Sequence, residues 1–276
     1  MTTNVTSLSA AAVPARRRSV SKENREKLGQ LGGGVISILV LAAVWQIVAH
    51  FQPPYVFPGL GTVFKDIGSF AESGALLEAT ITTTKSVAMG ALLSLVGGVL
   101  LGFGLAKSNS IFGPFLNFVQ TVPYVVWALV SLIWFGLNGA AVVFTIFVAA
   151  FPIISFNVAE GLRNVDRNLL EMAKSVKASR WMILRHIVMP SLTPYLTSST
   201  RTMVGMCWKM SVLAELFAGG GAGRGVGYNL FVGWEFSRTS EVFAWTVWLV
   251  VLMMATDLLI LKPVENIVNR WKSDRK

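Results

Sequence analysis

The sequence has few charged residues and almost no cysteine or histidine. Only 14% of its 276 residues are charged, against about 25% in an average soluble protein, and its mean hydropathy is +0.60. Cys207 is the only cysteine, which excludes an intrachain disulfide and a cysteine-based zinc site. His50 and His186 lie far apart without a neighbouring ligand pattern, so we expect no metal. This composition predicts a membrane protein.

Nucleotide-binding and catalytic motifs are also missing. No G-x-x-x-x-G-K-[ST] sequence occurs, and the glycines of residues 219–240 do not fit G-x-G-x-x-G. We therefore expect neither a nucleotide nor another cofactor in this chain. The sequence has no H-E-x-x-H, no pair of intramembrane aspartates and no glycine-flanked nucleophile, which argues against an intramembrane enzyme.

Long apolar segments are what the sequence does contain. A bilayer core about 30 Å thick is crossed by about 20 apolar residues in a helix. We predict an all-α polytopic membrane protein with a transmembrane domain over 32–262. Its six transmembrane helices are predicted at about 33–50, 86–106, 117–137, 140–158, 191–218 and 241–262.

Short local signals predict how these segments are connected and packed. Asn138 marks a tight turn between the third and fourth segments, and PPYVFPG after the first segment predicts another turn. Four glycines in the second segment are expected to permit close helix contact. They are Gly97, Gly98, Gly102 and Gly104.

Basic residues predict the orientation of the chain, because cytoplasmic loops are rich in Lys and Arg. With both termini cytoplasmic, 18 of the 24 Lys and Arg residues lie on the cytoplasmic side and four on the outside. The net charge of +10 is thus mostly a topology signal, and we expect no nucleic-acid binding. Residues 1–31 are predicted to be a flexible basic cytoplasmic tail, and 263–276 a basic cytoplasmic terminus.

The cytoplasmic segment 159–190 is charged but still helically periodic. Asp166 and Ser179 are predicted N-caps of two short helices, with a bend at 177–179, and Pro190 predicts a boundary before the next span. Periodicity and charge leave two interpretations open, a helix lying on anionic lipid or a surface that docks a protein. The first helix has an apolar face made of Leu169, Met172, Ala173 and Val176.

This segment resembles the cytoplasmic loop of bacterial ABC-importer permeases, whose pattern is E-A-A, three residues, G, nine residues, then I-x-L-P. The matching residues are Glu171, Ala173, Ile187 and Pro190. Three positions depart from the pattern, with Met172 for alanine, Lys177 for glycine and Met189 for leucine.

Further runs resemble the nitrate, taurine, alkanesulfonate and bicarbonate branch of these permeases. They lie within roughly residues 55 to 262 and read TVPYVVWALVSLIWFGL, FPIISFN, CWKMSVLAELFAGGGAGRGVGYNL and EFSRTSEVF. The resemblance is specific for the branch and not for a substrate.

The resemblance implies a type I ABC-importer permease fold with a cytoplasmic coupling helix, in a bacterial inner membrane. It implies a homodimer in membrane lipid around a pathway for a small anion delivered by an extracytoplasmic binding protein. It also implies two cytoplasmic ATPase subunits that bind ATP and Mg, so this chain is not itself an enzyme. The expected coupling residues are Glu171, Ala173, Lys177, Ala178, Trp181, Ile187 and Pro190.

The fifth segment carries charged residues that are costly in a membrane. At 100° per residue, Arg201, Trp208 and Glu215 share one stripe, with Gly205 beside it and Lys209 farther round. All five are candidates for the wall of a transport pathway. The structural alternative is that Lys209 and Glu215 snorkel to the outer interface, while Arg201 pairs with a neighbour such as Asp257.

A stand-alone secondary carrier or channel for a small anion is the alternative function. It would also explain charged spans, but it would not require the paired helices of 159–190. Many carriers contain an inverted repeat, and none is visible in this sequence.

Overall fold

The computed structural model describes residue 34 and residues 36–266, and within them the chain forms helices and connections without a strand. The tail predicted over 1–31 lies outside these residues, as do 267–276 of the predicted carboxyl-terminal segment. The chain divides after Leu60 into two compact units, which are described separately.

The first unit contains one apolar helix, α1, at Ile36–Phe51. The turn that follows is closed by bonds from the backbone N–H groups of Val56 (2.8 Å) and Phe57 (3.0 Å) to the carbonyl of Pro53. The indole N–H of Trp45 donates to the carbonyl of Pro58 at 3.0 Å. The turn predicted from PPYVFPG is confirmed.

The second unit is a bundle of helices of very different lengths. Besides α-helices, its described residues contain two short π-helical turns, Leu184–Val188 and Asp257–Leu261, and one 3₁₀ turn, Gly219–Ala222. The α-helices, in chain order, are α2 Leu60–Glu72, α3 Ala75–Lys107, α4 Asn109–Thr121, α5 Tyr124–Phe135, α6 Gly139–Arg163, α7 Arg167–Ser175, α8 Arg180–Ile183, α9 Met189–Ala218, α10 Val226–Glu235 and α11 Thr239–Thr256.

The most extensive helix contact joins α3 to α6. Small residues recur every fourth position on the buried face of α3, as Gly90, Ser94, Gly98 and Gly102. A Cβ atom on Gly98 would lie 2.6 Å from the Cβ of Ile154, and one on Gly102 would lie 2.6 Å from the Cβ of Val158. The prediction that glycines permit close packing is confirmed, since Gly97 and Gly104 also lie against the rings of Phe147 and Phe112.

Helix α9 packs against α6 and completes the core. A Cβ on Gly161 of α6 would lie 2.7 Å from a methyl group of Leu192 in α9. Met203, Cys207 and Trp208 of α9 are buried in one apolar cluster with residues of α3 and α6. The central helices are therefore α3, α6 and α9.

Each predicted span overlaps helical residues, but the helices differ from the predicted segments in extent and character. Among the described residues, three are long and apolar enough to cross a membrane, namely Ala75–Lys107, Gly139–Arg163 and Thr239–Asn266. The first begins well before the predicted segment 86–106. Helix α9 has 30 residues and is the least apolar of the predicted spans. The total of six spans stays a prediction.

The segment 117–137 is not the single helix that the sequence predicts. Helices α4 and α5 meet there at an angle of 95°, and Val122 between them is extended, with φ −69° and ψ 126°. Because a proline disfavours the helical conformation of the residue before it, Pro123 explains the break. The sequence contained this signal.

The turn at Asn138 is confirmed. Gly136 adopts a positive φ of 78° after α5, and the side-chain oxygen of Asn138 caps α6 by accepting bonds from the N–H groups of Ala140 (2.9 Å) and Ala141 (3.3 Å). The turn could be predicted from the sequence because an asparagine N-cap acts locally.

We predict that Gly98→Ala lowers the free energy of unfolding by about 1–3 kcal/mol, because the new methyl group would overpack the contact between α3 and α6. Thermal unfolding of the purified protein in detergent measures the change. Gly68→Ala in α2 is the matched control, since nothing lies within 4 Å of the added atom. Equal stability of the two variants would contradict the proposed tightness of the contact.

Candidate functional site

The segment 159–190 forms the two predicted helices and the predicted bend. The Asp166 carboxylate caps α7 by accepting from the N–H of Asn168 at 2.8 Å. The Ser179 hydroxyl caps α8 by accepting from the N–H of Met182 at 3.2 Å. Both predicted N-caps are confirmed, and they fix where each helix begins.

The bend contains a left-handed residue at the position where the permease pattern has glycine. Lys177 has a φ of 52°. Its N–H donates to the carbonyl of Lys174 at 2.9 Å, and the N–H of Ala178 donates to the carbonyl of Ala173 at 2.9 Å. These two bonds are the Schellman motif that ends a helix with a left-handed residue. A side chain at this residue strains the backbone, and glycine would relieve that strain.

The boundary predicted at Pro190 is wrong. Residues Arg180–Ile183, Leu184–Val188 and Met189–Ala218 follow each other without a break as α-helix, π-turn and α-helix. Proline lacks an N–H and crowds the carbonyl four residues earlier. The wider π-turn directly before it accommodates both effects, so the chain stays helical into α9.

Large apolar side chains of this segment point outward. Ala173 is buried, at 6% exposure, so the apolar face predicted for α7 is divided between an inward alanine and outward large residues. Glu171 is exposed, whereas Ala178, Ile187 and Pro190 are half-buried. We name the outward set the apolar loop surface, and it consists of Leu169, Met172, Val176, Trp181 and Met182.

Arg201 is held by acidic residues from the end of the chain. Its guanidinium lies 2.8 Å from the carboxylate of Asp257 and 3.5 Å from that of Glu265. Asp257 begins the π-turn that follows α11. The pairing of Arg201 with Asp257, which the structural alternative anticipated, is present. Two carboxylates thus offset the one charge of Arg201.

Lys209 lies on the open side of α9. It is exposed, as are Ser198 and Thr202 on the same helix, and nothing lies within 4 Å of a Cβ placed on Gly205. Lys209 has no ion pair among the residues that the structure describes. The open face of α9 therefore combines small or polar residues with one free positive charge.

Trp208 and Glu215 do not lie on that open face. They are 2% and 1% exposed, respectively. Glu215 does not snorkel to an interface, because its carboxylate accepts bonds from Thr83, Ser211 and the N–H of Gly227 inside the bundle. The helical wheel placed these residues beside Arg201, but it could not show which face the neighbouring helices cover.

Helix α10 was missed by sequence reasoning. No helix is predicted within residues 219–240, but Val226–Glu235 is helical. The run VGYNLFVGWE that follows Gly225 is apolar enough to have indicated a short helix. No group of three or more His, Cys, Asp or Glu side chains that could hold a metal occurs among the described residues.

Comparison with known proteins decides the family. Residues 94–273 match the binding-protein-dependent transport system inner membrane components. The chain belongs to this family. It is a permease subunit of an ABC importer and not an enzyme, it crosses the membrane several times, and it works with an ATPase and a substrate-binding protein.

Several curated relatives of this permease transport small anions or sulfonates. It is 27% identical to the nitrate import permease protein NrtB of Leptolyngbya laminosa, over 75% of this chain and 77% of the relative. It is 24% identical to the bicarbonate transport system permease protein CmpB of Synechococcus elongatus, over 92% and 94%. It is also 24% identical to the taurine transport system permease protein TauC of Escherichia coli, over 86% and 89%.

A solved structure shows the same fold. The permease matches a chain of the inward-facing MetNI methionine ABC transporter with a TM-score of 0.54 and 19% identity, over 71% of this chain and 95% of that chain. The match confirms the predicted all-α fold of an importer permease.

We predict that Lys177→Gly stabilises the permease by about 0.5–1 kcal/mol, because glycine adopts a positive φ without the steric cost of a side chain. The matched control is Lys174→Gly, which places glycine inside α7 and should destabilise by about 0.5–1 kcal/mol. Thermal unfolding in detergent compares the two. A loss of stability in both variants would show that the left-handed residue carries no strain.

Proposed function

We propose that two copies of this permease enclose a pathway for a small anion, and that two cytoplasmic ATPase subunits drive import by binding the segment 159–190. An extracytoplasmic binding protein delivers the anion. ATP and Mg are bound by the ATPase and not by the permease. Both termini of the permease lie in the cytoplasm, as the distribution of its basic residues indicates.

The observation that carries this proposal is the continuity of the helix from Arg180 to Ala218. One end of this helix belongs to the segment with the apolar loop surface, and the same helix carries Lys209. A displacement of α8 by a bound ATPase is therefore passed to α9 without an intervening flexible joint. A stand-alone carrier would have no use for this connection.

The apolar loop surface supports a protein partner. Exposed apolar patches of this kind mark interaction sites, and tryptophan is common among the residues that dominate binding energy. Trp181 is 67% exposed and Met182 is 53% exposed at the start of the continuous helix. We assign Trp181 the role of an anchor and Glu171 that of a polar contact with the ATPase.

The open face of α9 supports a water-filled pathway between two copies. A charged side chain in a membrane helix is costly unless it faces a bundle interior or a water-filled cavity. Lys209, with Ser198 and Thr202, would be unfavourable against lipid. A second copy of the permease that packs around this face would enclose it.

Lys209 supports an anion as the substrate class. Arg201 is already paired with Asp257 and Glu265, so Lys209 is the charge in α9 that remains available to an anion. Nitrate, bicarbonate and a sulfonate all fit this class. In this proposal Lys209 attracts the anion and Gly205 leaves room for it, whereas Arg201 ties α9 to the cytoplasmic end of the last helix.

We predict that Trp181→Ala weakens binding of the ATPase about thirtyfold, the equivalent of about 2 kcal/mol for an anchor residue. Co-purification of the ATPase with the tagged permease measures it. Trp234→Ala is the matched control, because Trp234 is 70% exposed in α10 but far along the chain from the segment 159–190. An ATPase that binds the Trp181 variant normally would contradict the assigned anchor.

We predict that Lys209→Gln lowers anion transport about tenfold, which corresponds to a loss of about 1.4 kcal/mol of stabilisation, and leaves ATPase binding intact. Lys209→Arg should retain most transport because it keeps the charge, and Lys65→Gln on α2 controls for loss of a positive charge elsewhere. Uptake of labelled nitrate and bicarbonate into vesicles that contain the complex is the measurement. Transport without ATP by the permease alone would instead favour a secondary carrier.

A further inference from the structure

Glu215 is a buried carboxylate with three hydrogen-bond donors. The Ser211 hydroxyl donates to Oε1 at 3.1 Å. The Thr83 hydroxyl and the N–H of Gly227 both donate to Oε2, each at 2.9 Å. These donors belong to α9, α3 and α10, so one side chain connects three helices.

Thr83 extends the connection to the start of α10. Its hydroxyl oxygen accepts from the N–H of Val226 at 2.9 Å while its hydrogen is given to Glu215. Val226 and Gly227 are the first two residues of α10, and their N–H groups have no partner inside that helix. Gly225, the residue before them, offers no side chain as a cap. Glu215 and Thr83 therefore cap α10 from two other helices.

Two glycines allow the chain to lie directly on this carboxylate. A Cβ atom on Gly225 would overlap Oε2 of Glu215, and one on Gly227 would overlap the carbonyl oxygen of Val212 in α9. The start of α10 is thus in backbone contact with α9 at Glu215. A small rotation of α9 there displaces α10 as well.

The loop that precedes α10 is held by the same kind of contact. A Cβ on Gly221 would overlap the carbonyl oxygen of Leu137, in the turn between α5 and α6, and one on Gly223 would lie 3.0 Å from the methyl group of Thr82 in α3. The loop Gly219–Gly225 therefore rests on α3 and on the α5–α6 turn. The end of the loop, where it enters α10, is held by Glu215.

Glu215 lies at the far end of the helix that begins in the segment 159–190. Helix α9 ends at Ala218, three residues after Glu215. A movement that enters α9 from α8 reaches the loop Gly219–Gly225 through this end. The bonds of Glu215 are the polar contacts by which α9 holds α3 and α10 at that point.

We propose that Glu215 is a positioning residue of the transport cycle, because its carboxylate fixes the end of α9 to Thr83 and to the start of α10 so that the glycine-rich loop moves with α9. This inference rests on the proposed function. On the proposed orientation, the loop Gly219–Gly225 lies on the extracytoplasmic side, where the binding protein delivers the anion. Glu215 does not touch the anion, since it is buried inside the bundle.

The test measures anions transported per ATP hydrolysed by the complete complex in vesicles, with the binding protein supplied. Glu215→Gln keeps the shape but replaces one acceptor oxygen with a donor. Thr83→Val removes the hydroxyl that links Glu215 to Val226 at nearly constant volume, and Thr83→Ser restores it. We expect the ratio to fall about tenfold in Glu215→Gln and Thr83→Val and to return in Thr83→Ser.

A purely structural role gives a different result. It would lower the melting temperature or the yield of the complex, but the surviving complexes would transport as many anions per ATP as the original protein. An unchanged ratio in both Glu215→Gln and Thr83→Val therefore overturns this inference. If Glu215→Gln does not assemble, Thr83→Val and Ser211→Ala carry the comparison. Ser211→Ala is expected to lower the ratio less, because Ser211 lies in α9 itself and its loss leaves the bonds of Glu215 to α3 and α10 in place.

The double variant Thr83→Val with Glu215→Gln separates a shared bond from two independent effects. If the two residues act through the same contact, the double variant should lower the ratio no further than either single variant. A loss equal to the product of the single losses would overturn the proposed connection. If the unmodified complex shows no ATP-dependent transport, the proposed function fails, whereas normal transport with unchanged variants removes only the role of Glu215.

Discussion

The structure depends on the close approach of α3 and α6. Apolar side chains gain little by leaving lipid for another apolar surface, so helices in a membrane associate through tight packing and polar contacts. Gly98 and Gly102 leave no side chain between α3 and the Ile154 and Val158 ridge of α6. Helix α9 packs against this pair, and α9 carries both the candidate pathway and the proposed connection to the ATPase.

The two ends of helix α9 are fixed in different ways. At one end it continues through a π-turn into α8, which bears the exposed Trp181. At the other end its last turns are tied to α3 and α10 by Glu215. Between them the open face presents Lys209. In the proposed function, this single helix connects the ATPase, the anion and the opposite side of the protein without a long chain of intermediate contacts.

The three charged residues of α9 are in three different physical situations. Arg201 is partly exposed and neutralised by Asp257 and Glu265. Glu215 is buried, and its carboxylate, which can only accept hydrogen bonds, accepts them from Thr83, Ser211 and Gly227. Lys209 is exposed and unpaired among the described residues. The sequence shows only that all three lie in or near a membrane, so their different roles arise from their neighbours.

The sequence by itself determined the class of protein and the features that act over a few residues. Hydropathy indicated a helical membrane protein, Asn138 and Ser179 marked helix starts, and the change of helical phase at 177–179 placed the bend there. The break before Pro123 was also readable from the residue preceding a proline. These features need no distant partner, because capping bonds and steric limits act within about one helical turn.

Only the tertiary structure decided which faces are covered. A helical wheel gives the angle of Glu215 relative to Arg201, but the donors that bury Glu215 come from Thr83, 132 positions earlier, and from Gly227 in a helix that the sequence reading missed. The same holds for Pro190, where a π-turn kept the helix continuous despite the local signal to end it. Contacts between distant segments select one among several locally acceptable arrangements, and local sequence does not contain that choice.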